Sequence, residues 1–477
     1  MKKWFGNVAR EEMILGYVFF KWLVLAILAG LIVGSAAALF LLLLGRGINA
    51  GNSMGAARLL LLPPGLMLSA FMVRKLAPEA AGHGTEKVIE AIHQRSGRIS
   101  LSTIPVKLLA TIITIASGGS VGKEGPCAQI GAGLTSAMAG LLGLDDTDRK
   151  KLVICGISAG FSAIFGTPVA GAIFGLEVLF IGKIYYDVML PAFISGIISF
   201  QAASLLGVGY PEQRLTMIQH AGGAGLFWVA LAGLFFGLVA LIHIEIISAS
   251  EKWIKRIPTG PNIKAAGAGV VLLLLALLFG TRYLGLGTDF IEEAVSGARV
   301  PGGAFILKSF FTGITLAAGG SGGILTPTFF VGAGAGSFFA YLFGLDGALF
   351  SSIGLVAVLA GAANTPIAAT IMAIELFGAD VASFAAVACI ISFAISGHRS
   401  VYPSQILARP KSPVFGVSEE ALPVEFHKNR IDLSTTRIPS MISEARSFWK
   451  RRAFFPRDGV QQTDDREKDR EDGQGSE

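Results

Sequence analysis

Apolar residues run along this chain in long blocks, at 18–45, 56–73, 187–207, 225–249 and 264–280. Each approaches or exceeds the roughly 20 residues that a helix needs to cross a bilayer, so each predicts a membrane-spanning helix. The blocks between them are shorter and are interrupted by glycine or proline, as in "GGSVGKEGPCAQIG" at 118–131. After about residue 412 the pattern turns polar and closes on "QQTDDREKDREDGQGSE". Such a segment buries too little apolar surface to offset its ordering entropy, so a largely disordered cytoplasmic tail is expected over 413–477. Within it, "MISEARSFWKRRAFF" at 441–455 reads either as a basic amphipathic segment on anionic lipid or as a solvated helix or coil.

Composition agrees with that pattern. Only 15% of the 477 residues are charged and 52% are hydrophobic, against roughly 25% charged in soluble domains, so the chain reads as an all-α integral membrane protein with the lipid bilayer as its surroundings. The start "MKKWFGNVAREEM" carries two acids, and no small-residue cleavage site follows a short apolar core, so the first block is expected to be a retained helix. The net charge of +6 does not point to nucleic acid, because the basic residues gather in loops and at the ends, at Lys2, Lys3, Arg10, Arg446, Lys450, Arg451 and Arg452. By the positive-inside rule both termini are expected in the cytoplasm of a multi-pass cell-membrane protein, with an even number of full crossings. Cys127, Cys155 and Cys389 sit in apolar surroundings without Cys-x-x-Cys spacing, so neither a metal, a cofactor nor a disulfide framework is indicated. A membrane enzyme is disfavoured by the lack of a His-Glu-x-x-His or a nucleophile elbow.

An internal repeat organises the chain. "SGGSVGKEGP" at 117–126 recurs as "AGGSGGILTP" at 318–327, and "FGTPVAGAIFGLE" at 165–177 recurs as "ANTPIAATIMAIE" at 363–375. Two matches in the same order at near-equal spacing imply duplication, with membrane repeats over 11–210 and 211–412. Duplicated halves with interrupted apolar segments at matching positions point to a transporter whose site lies near the midplane.

Irregular backbone at membrane depth is tolerated only where it is buried in protein or lines a polar cavity. If helices begin at Pro126 and Pro327, where proline suits the first helical position, their free N–H groups point into the breaks and offer an anion site. Glu124 can then occupy the field meant for a mobile anion and leave it when protonated, acting as a gate. The other reading is that it complements the helix dipole and pairs with Lys123. The copy has Leu325 in place of Glu124, which favours the gate. Glu177 and Glu375 occur in both halves, so a structural or helix-end role is expected for them. His83, in "APEAAGHGTEKVIEAI" at 77–92, sits between two glycines ahead of a predicted helix and reads either as a packing residue or as an anion donor.

These motifs resemble the CLC family of chloride channels and proton/chloride antiporters. "GKEGP" at 122–126 matches its G-[KR]-E-G-P, "GGILTP" at 322–327 is similar to its G-G-x-F-x-P, "GHGT" at 82–85 stands for its G-S-G-I-P, and "SVYPSQIL" at 400–407 resembles its closing tyrosine segment. The resemblance spans roughly 20–410 and implies a homodimer of inverted repeats of broken, tilted helices, with one anion pathway per subunit. It further implies that Glu124 is the gating glutamate and that the amides of Ile324 and Leu325 hold the central anion. Gly122 and Lys123 would frame the outer part, and Tyr402 would offer its hydroxyl from the inner side.

Two departures change the picture. His83 stands for the family's serine and Glu86 for its proline, so anion affinity is expected to depend on pH as a serine site's would not. Val178 stands for the inner proton-relay glutamate of many family antiporters and cannot carry a proton; Glu177 is adjacent but points about 100 degrees away on a helix. The leading expectation is therefore chloride transport gated by Glu124, channel-like or weakly coupled to protons. A strict proton/chloride or fluoride antiporter is the alternative, with Tyr402 and "GKEGP" favouring chloride. A secondary transporter of another small anion is the second alternative, disfavoured by the absence of further charged substrate-binding residues.

Overall fold

The computed structural model describes residues 2–210, 223–411 and 422–423, with side chains over 10–210 and 225–411. The expected tail, apart from those two residues, and the basic segment at 441–455 lie outside the described residues. Sixteen α-helices make up the described chain, and strands are limited to two-residue pairs such as Phe180–Ile181 beside Ile406–Leu407.

Among the described residues, six helical segments are long and apolar enough to cross a membrane, and five of them take up the expected blocks: Arg10–Ser53, Gly55–Leu76, Tyr186–Leu205, Gly225–Arg256 and Pro261–Phe279. The first block belongs to one uninterrupted helix, Lys2–Ser53. Leu325–Phe343 is the sixth. Pro261–Phe279 leaves Val270, Val271, Leu274, Leu277 and Leu278 exposed, as a helix in contact with lipid tails does. Glu124–Leu141 and Leu325–Phe343 are instead buried nearly all round, the mark of central helices.

Helices that follow the two glycine breaks pack in matching pairs. Glu124–Leu141 packs on Asp146–Phe165, and Leu325–Phe343 packs on Gly347–Ala363. Small residues let both pairs approach closely: a Cβ on Gly131 would lie 2.4 Å from the Gly156 carbonyl oxygen, and one on Gly332 would lie 2.3 Å from that of Gly354. The second helix of each pair opens on an aspartate cap, Asp145 accepting from the Asp148 N–H at 2.7 Å and Asp346 from the Leu349 N–H at 2.9 Å. Neither Pro126 nor Pro327 is the first residue of its helix. Each is the third, the helices starting at Glu124 and Leu325. Proline is accommodated there because the N–H groups of the first turn have no intrahelical acceptor.

Pro168 and Pro366 do stand at the first position of Pro168–Glu177 and Pro366–Phe377. The two helices are clasped reciprocally. Glu177 accepts from the N–H groups of Ile367 and Ala368 at 3.1 and 2.8 Å, and Glu375 from those of Val169 and Ala170 at 2.9 and 2.8 Å. Each carboxylate thus caps the start of the helix whose other end carries its counterpart, the helix-end role expected for the pair. Replacing Glu375 by alanine leaves two inward N–H groups without their acceptor. Hydrogen bonds to charged groups contribute about 1.5–3 kcal/mol each, so Glu375→Ala is expected to cost roughly 3 kcal/mol and to lower the thermal midpoint of the detergent-solubilised protein clearly.

Candidate functional site

Three glycine breaks meet at the centre. Gly122 and Gly323 exchange backbone hydrogen bonds in both directions at 2.7 Å, tying the break of one repeat to that of the other. The turn at 82–84 packs on the same point: a Cβ on Gly125 would lie 1.9 Å from the His83 carbonyl oxygen, and one on Gly84, whose φ is +80°, would lie 2.3 Å from that of Gly125. Only glycine permits these approaches. The helices Thr85–Gln94, Glu124–Leu141 and Leu325–Phe343 therefore begin within one small region, with their N-termini gathered there. Their partial positive charges make that region favourable for an anion.

Glu124 is the first residue of its helix and is buried. Its carboxylate accepts from the Thr326 N–H at 3.1 Å and from the Thr326 hydroxyl. It thus occupies the first turn of the opposite repeat's helix, one residue beyond Leu325. Lys123 does not supply those hydrogen bonds. It is half-buried within Coulomb reach of the carboxylate, and with Thr326, Thr288 and Glu292 it lines a cavity of about 350 Å³. Ile324 and Leu325 open the receiving helix and are both buried.

Tyr402 is buried, and its hydroxyl neighbours the Thr85 side chain. Its N–H donates to the Ser400 hydroxyl at 2.9 Å. The imidazole of His83 neighbours the Val401 backbone. His83 Nδ1, Thr85 Oγ1, Glu86 Oε2 and Tyr402 Oη are buried without a hydrogen-bond partner. Glu86 Oε1 accepts from the Ser404 N–H at 3.0 Å and from the Ser404 hydroxyl. The structure thus brings His83, Gly122, Lys123, Glu124, Ile324, Leu325 and Tyr402 to adjoining elements. The Val178 side chain lies in the apolar core, and its carbonyl accepts from Gln405 Nε2 at 2.8 Å.

Sequence reading missed Thr326, which receives the Glu124 carboxylate, and the paired lysines behind the turns. Buried Lys107 donates to the carbonyls of Ala80 and Gly82 at 2.9 and 2.7 Å, and buried Lys308 to those of Tyr283 and Gly285 at 3.1 and 2.9 Å. The two lysines are 201 residues apart, the interval between Gly122 and Gly323. Carrying that interval along the chain would have found the lysines; Gly285-Leu286-Gly287-Thr288, the counterpart of Gly82-His83-Gly84-Thr85, lies 203 residues on.

The family model described as voltage gated chloride channel matches residues 65–397. The chain belongs to the CLC family. It is 34% identical over 398 residues to the "Chloride/fluoride channel protein" of Pseudomonas syringae pv. tomato, covering 82% of this chain and 87% of the relative. To the "Voltage-gated ClC-type chloride channel ClcB" of Escherichia coli it is 26% identical, covering 74% of this chain and 87% of that one. Among solved structures, a CLC-type fluoride/proton antiporter superposes with a TM-score of 0.78 at 27% identity, covering 82% of this chain and 98% of that one. As a CLC protein the chain is a membrane transporter of anions built from broken helices.

Proposed function

We propose that this CLC protein exchanges a halide for protons, with Glu124 as the moving gate. The observation that carries this reading is the Glu124 carboxylate held by the N–H and hydroxyl of Thr326 at a helix N-terminus. A carboxylate there stands where a halide of the same charge would bind, so the two compete. Protonation removes the charge that holds the side chain, and the halide takes its place. One residue then couples proton and anion movement.

We assign fluoride as the preferred halide and chloride as the second. The names of a curated relative and a structural neighbour both include fluoride. The donor set supports it too, since fluoride is the halide that accepts hydrogen bonds most strongly and His83 Nδ1, Thr85 Oγ1 and Tyr402 Oη are unpartnered. The channel-like alternative rests on Val178, which stands at the inner proton-relay position without a titratable group. By the positive-inside rule, the face bearing Arg95, Arg98, Arg149, Lys150 and Lys151 is cytoplasmic.

Vesicles loaded with equal fluoride and chloride test the assignment. Faster fluoride release is expected from the unaltered protein. In His83→Ala, which removes the donor, the fluoride-to-chloride ratio should fall about tenfold, the worth of roughly 1.5 kcal/mol from one hydrogen bond to a charged group. An unchanged ratio would remove His83 from the selectivity site, and faster chloride release by the unaltered protein would reverse the assignment.

A further inference from the structure

Four glutamates end in the helix junctions described above, and they are not alike. Glu177 and Glu375 have both carboxylate oxygens on backbone N–H groups, and Glu124 has both on Thr326. Glu86 alone among the four has an oxygen, Oε2, that is buried without a partner. The other atoms in that state nearby are the Thr85 hydroxyl, the Tyr402 hydroxyl and His83 Nδ1, all chemically able to pass or hold a proton. Tyr402 lies within Coulomb reach of both Glu86 and Glu124.

The position of Glu86 between two faces follows from two helices. Asp146–Phe165 has 20 residues, about 30 Å at 1.5 Å per residue. Asp146 at its start lines a surface cleft of about 620 Å³ shared with Glu79, Arg95 and Arg98. Ile164 and Phe165 at its end line the cavity that holds Lys123 and Thr326. The helix Thr85–Gln94 starts at the anion site and ends beside Arg95, at the first of these faces. Glu86, near its start, stands between Glu124 and that face.

We propose that Glu86 is the proton carrier on the Arg95 side of the pathway, a role for which Val178 has no titratable group. This rests on the exchange reading above. A hydronium ion entering from the Arg95 face protonates Glu86 Oε2 and leaves as water. Glu86 then passes that proton through bridging water to the Tyr402 hydroxyl oxygen as Tyr402 passes its own, again through water, to the Glu124 carboxylate, so the tyrosine ends unchanged. Tyr402 is within Coulomb reach of both carboxylates but not in direct hydrogen-bond contact with them. Glu124, now neutral, leaves Thr326 and carries the proton onward. The charged and titratable groups within reach of Glu86 are Lys87 and Glu90 on its own helix and Tyr402 on the closing segment, which in turn is within reach of Glu124; Lys87 and Lys107 are within reach of the neighbouring His83. Lys87 is engaged by Glu90 at 2.7 Å, and Lys107 by its two carbonyls.

A purely structural role is the competing account, because Glu86 also fastens Ser404, two residues after Tyr402. Glu86→Gln separates the two, since an amide oxygen can still accept from Ser404 but the side chain no longer titrates. Full-length protein in fluoride-loaded vesicles, with external fluoride and pH recorded together under a clamped voltage, gives the number of protons moved per fluoride. That ratio should fall about a hundredfold in Glu86→Gln, in the range of losing one positioned acid–base group, and should stay at the unaltered protein's value in Ser404→Ala. A loosened clamp alone would slow both ions together and leave the ratio unchanged. Should Glu86→Gln not fold, Tyr402→Phe removes the relay hydroxyl at constant shape, and an unchanged ratio in it overturns the path. Coupling in the unaltered protein with undiminished coupling in Glu86→Gln overturns the inference alone. Fluoride release without protons from the unaltered protein removes the exchange reading, and this inference with it.

Discussion

Glu124→Gln is expected to abolish proton movement while halide continues to flow down its gradient. The carboxylate sits on two helix N-termini, as first residue of its own helix and as acceptor from Thr326 of the other. Each such terminus favours a negative charge by about 0.3–1 kcal/mol, and by up to about 2 kcal/mol where partly buried. Glutamine has nearly the same shape but no charge to satisfy those termini and no proton to carry at any accessible pH. The halide then binds there without a competing anion, and its flux loses its dependence on pH. In vesicles, proton flux should drop to the passive leak, a fall of about a hundredfold or more, with halide release retained. Proton transport surviving in Glu124→Gln would mean that another group is the gate, and loss of both fluxes would assign Glu124 a structural role.

Gly125→Ala is expected to prevent the site from assembling. The added methyl would lie 1.9 Å from the His83 carbonyl oxygen, with the Gly323 Cα at 3.2 Å on another side. Both are backbone atoms, so no side chain can swing away to make room. Overpacking costs typically 1–3 kcal/mol where side chains can adjust; here the breaks of two repeats must separate, and a loss of more than about 4 kcal/mol is expected. Gly140 is the control within the same helix, with nothing within 4 Å of its added Cβ, and Gly140→Ala should be neutral or gain up to about 1 kcal/mol in helix propensity. Size-exclusion yield and thermal midpoint of the solubilised proteins should separate the two variants clearly. A well-folded Gly125→Ala with normal transport would contradict the close approach of the 82–84 turn to the 122–125 break.

Much of this architecture could be read from the chain before any coordinates, for physical reasons. Bilayer thickness sets the length of apolar blocks, so five spanning segments were legible. Glycine at a break reports close backbone approach, so "GKEGP" and "GGILTP" announced where the helices begin. The start residues were displaced by two from the prolines, because proline is compatible with more than one position in a first turn. Three features were less accessible. Thr326 is an ordinary threonine until folding sets it opposite Glu124, 202 residues away. Lys107 and Lys308 look out of place in apolar segments, and only the repeat interval joins them. The clasp of Glu177 and Glu375 was legible as a shared helix-end feature, but its crossed pairing belongs to the fold.

The central claim is that one carboxylate links halide and proton movement. Its most direct test is the unaltered protein in fluoride-loaded vesicles at equal internal and external pH, with a potassium ionophore clamping the voltage and both ions recorded outside. The account predicts that outward fluoride flow drives protons inward, raising external pH and building a proton gradient where none existed. Fluoride release with no change in external pH would contradict it.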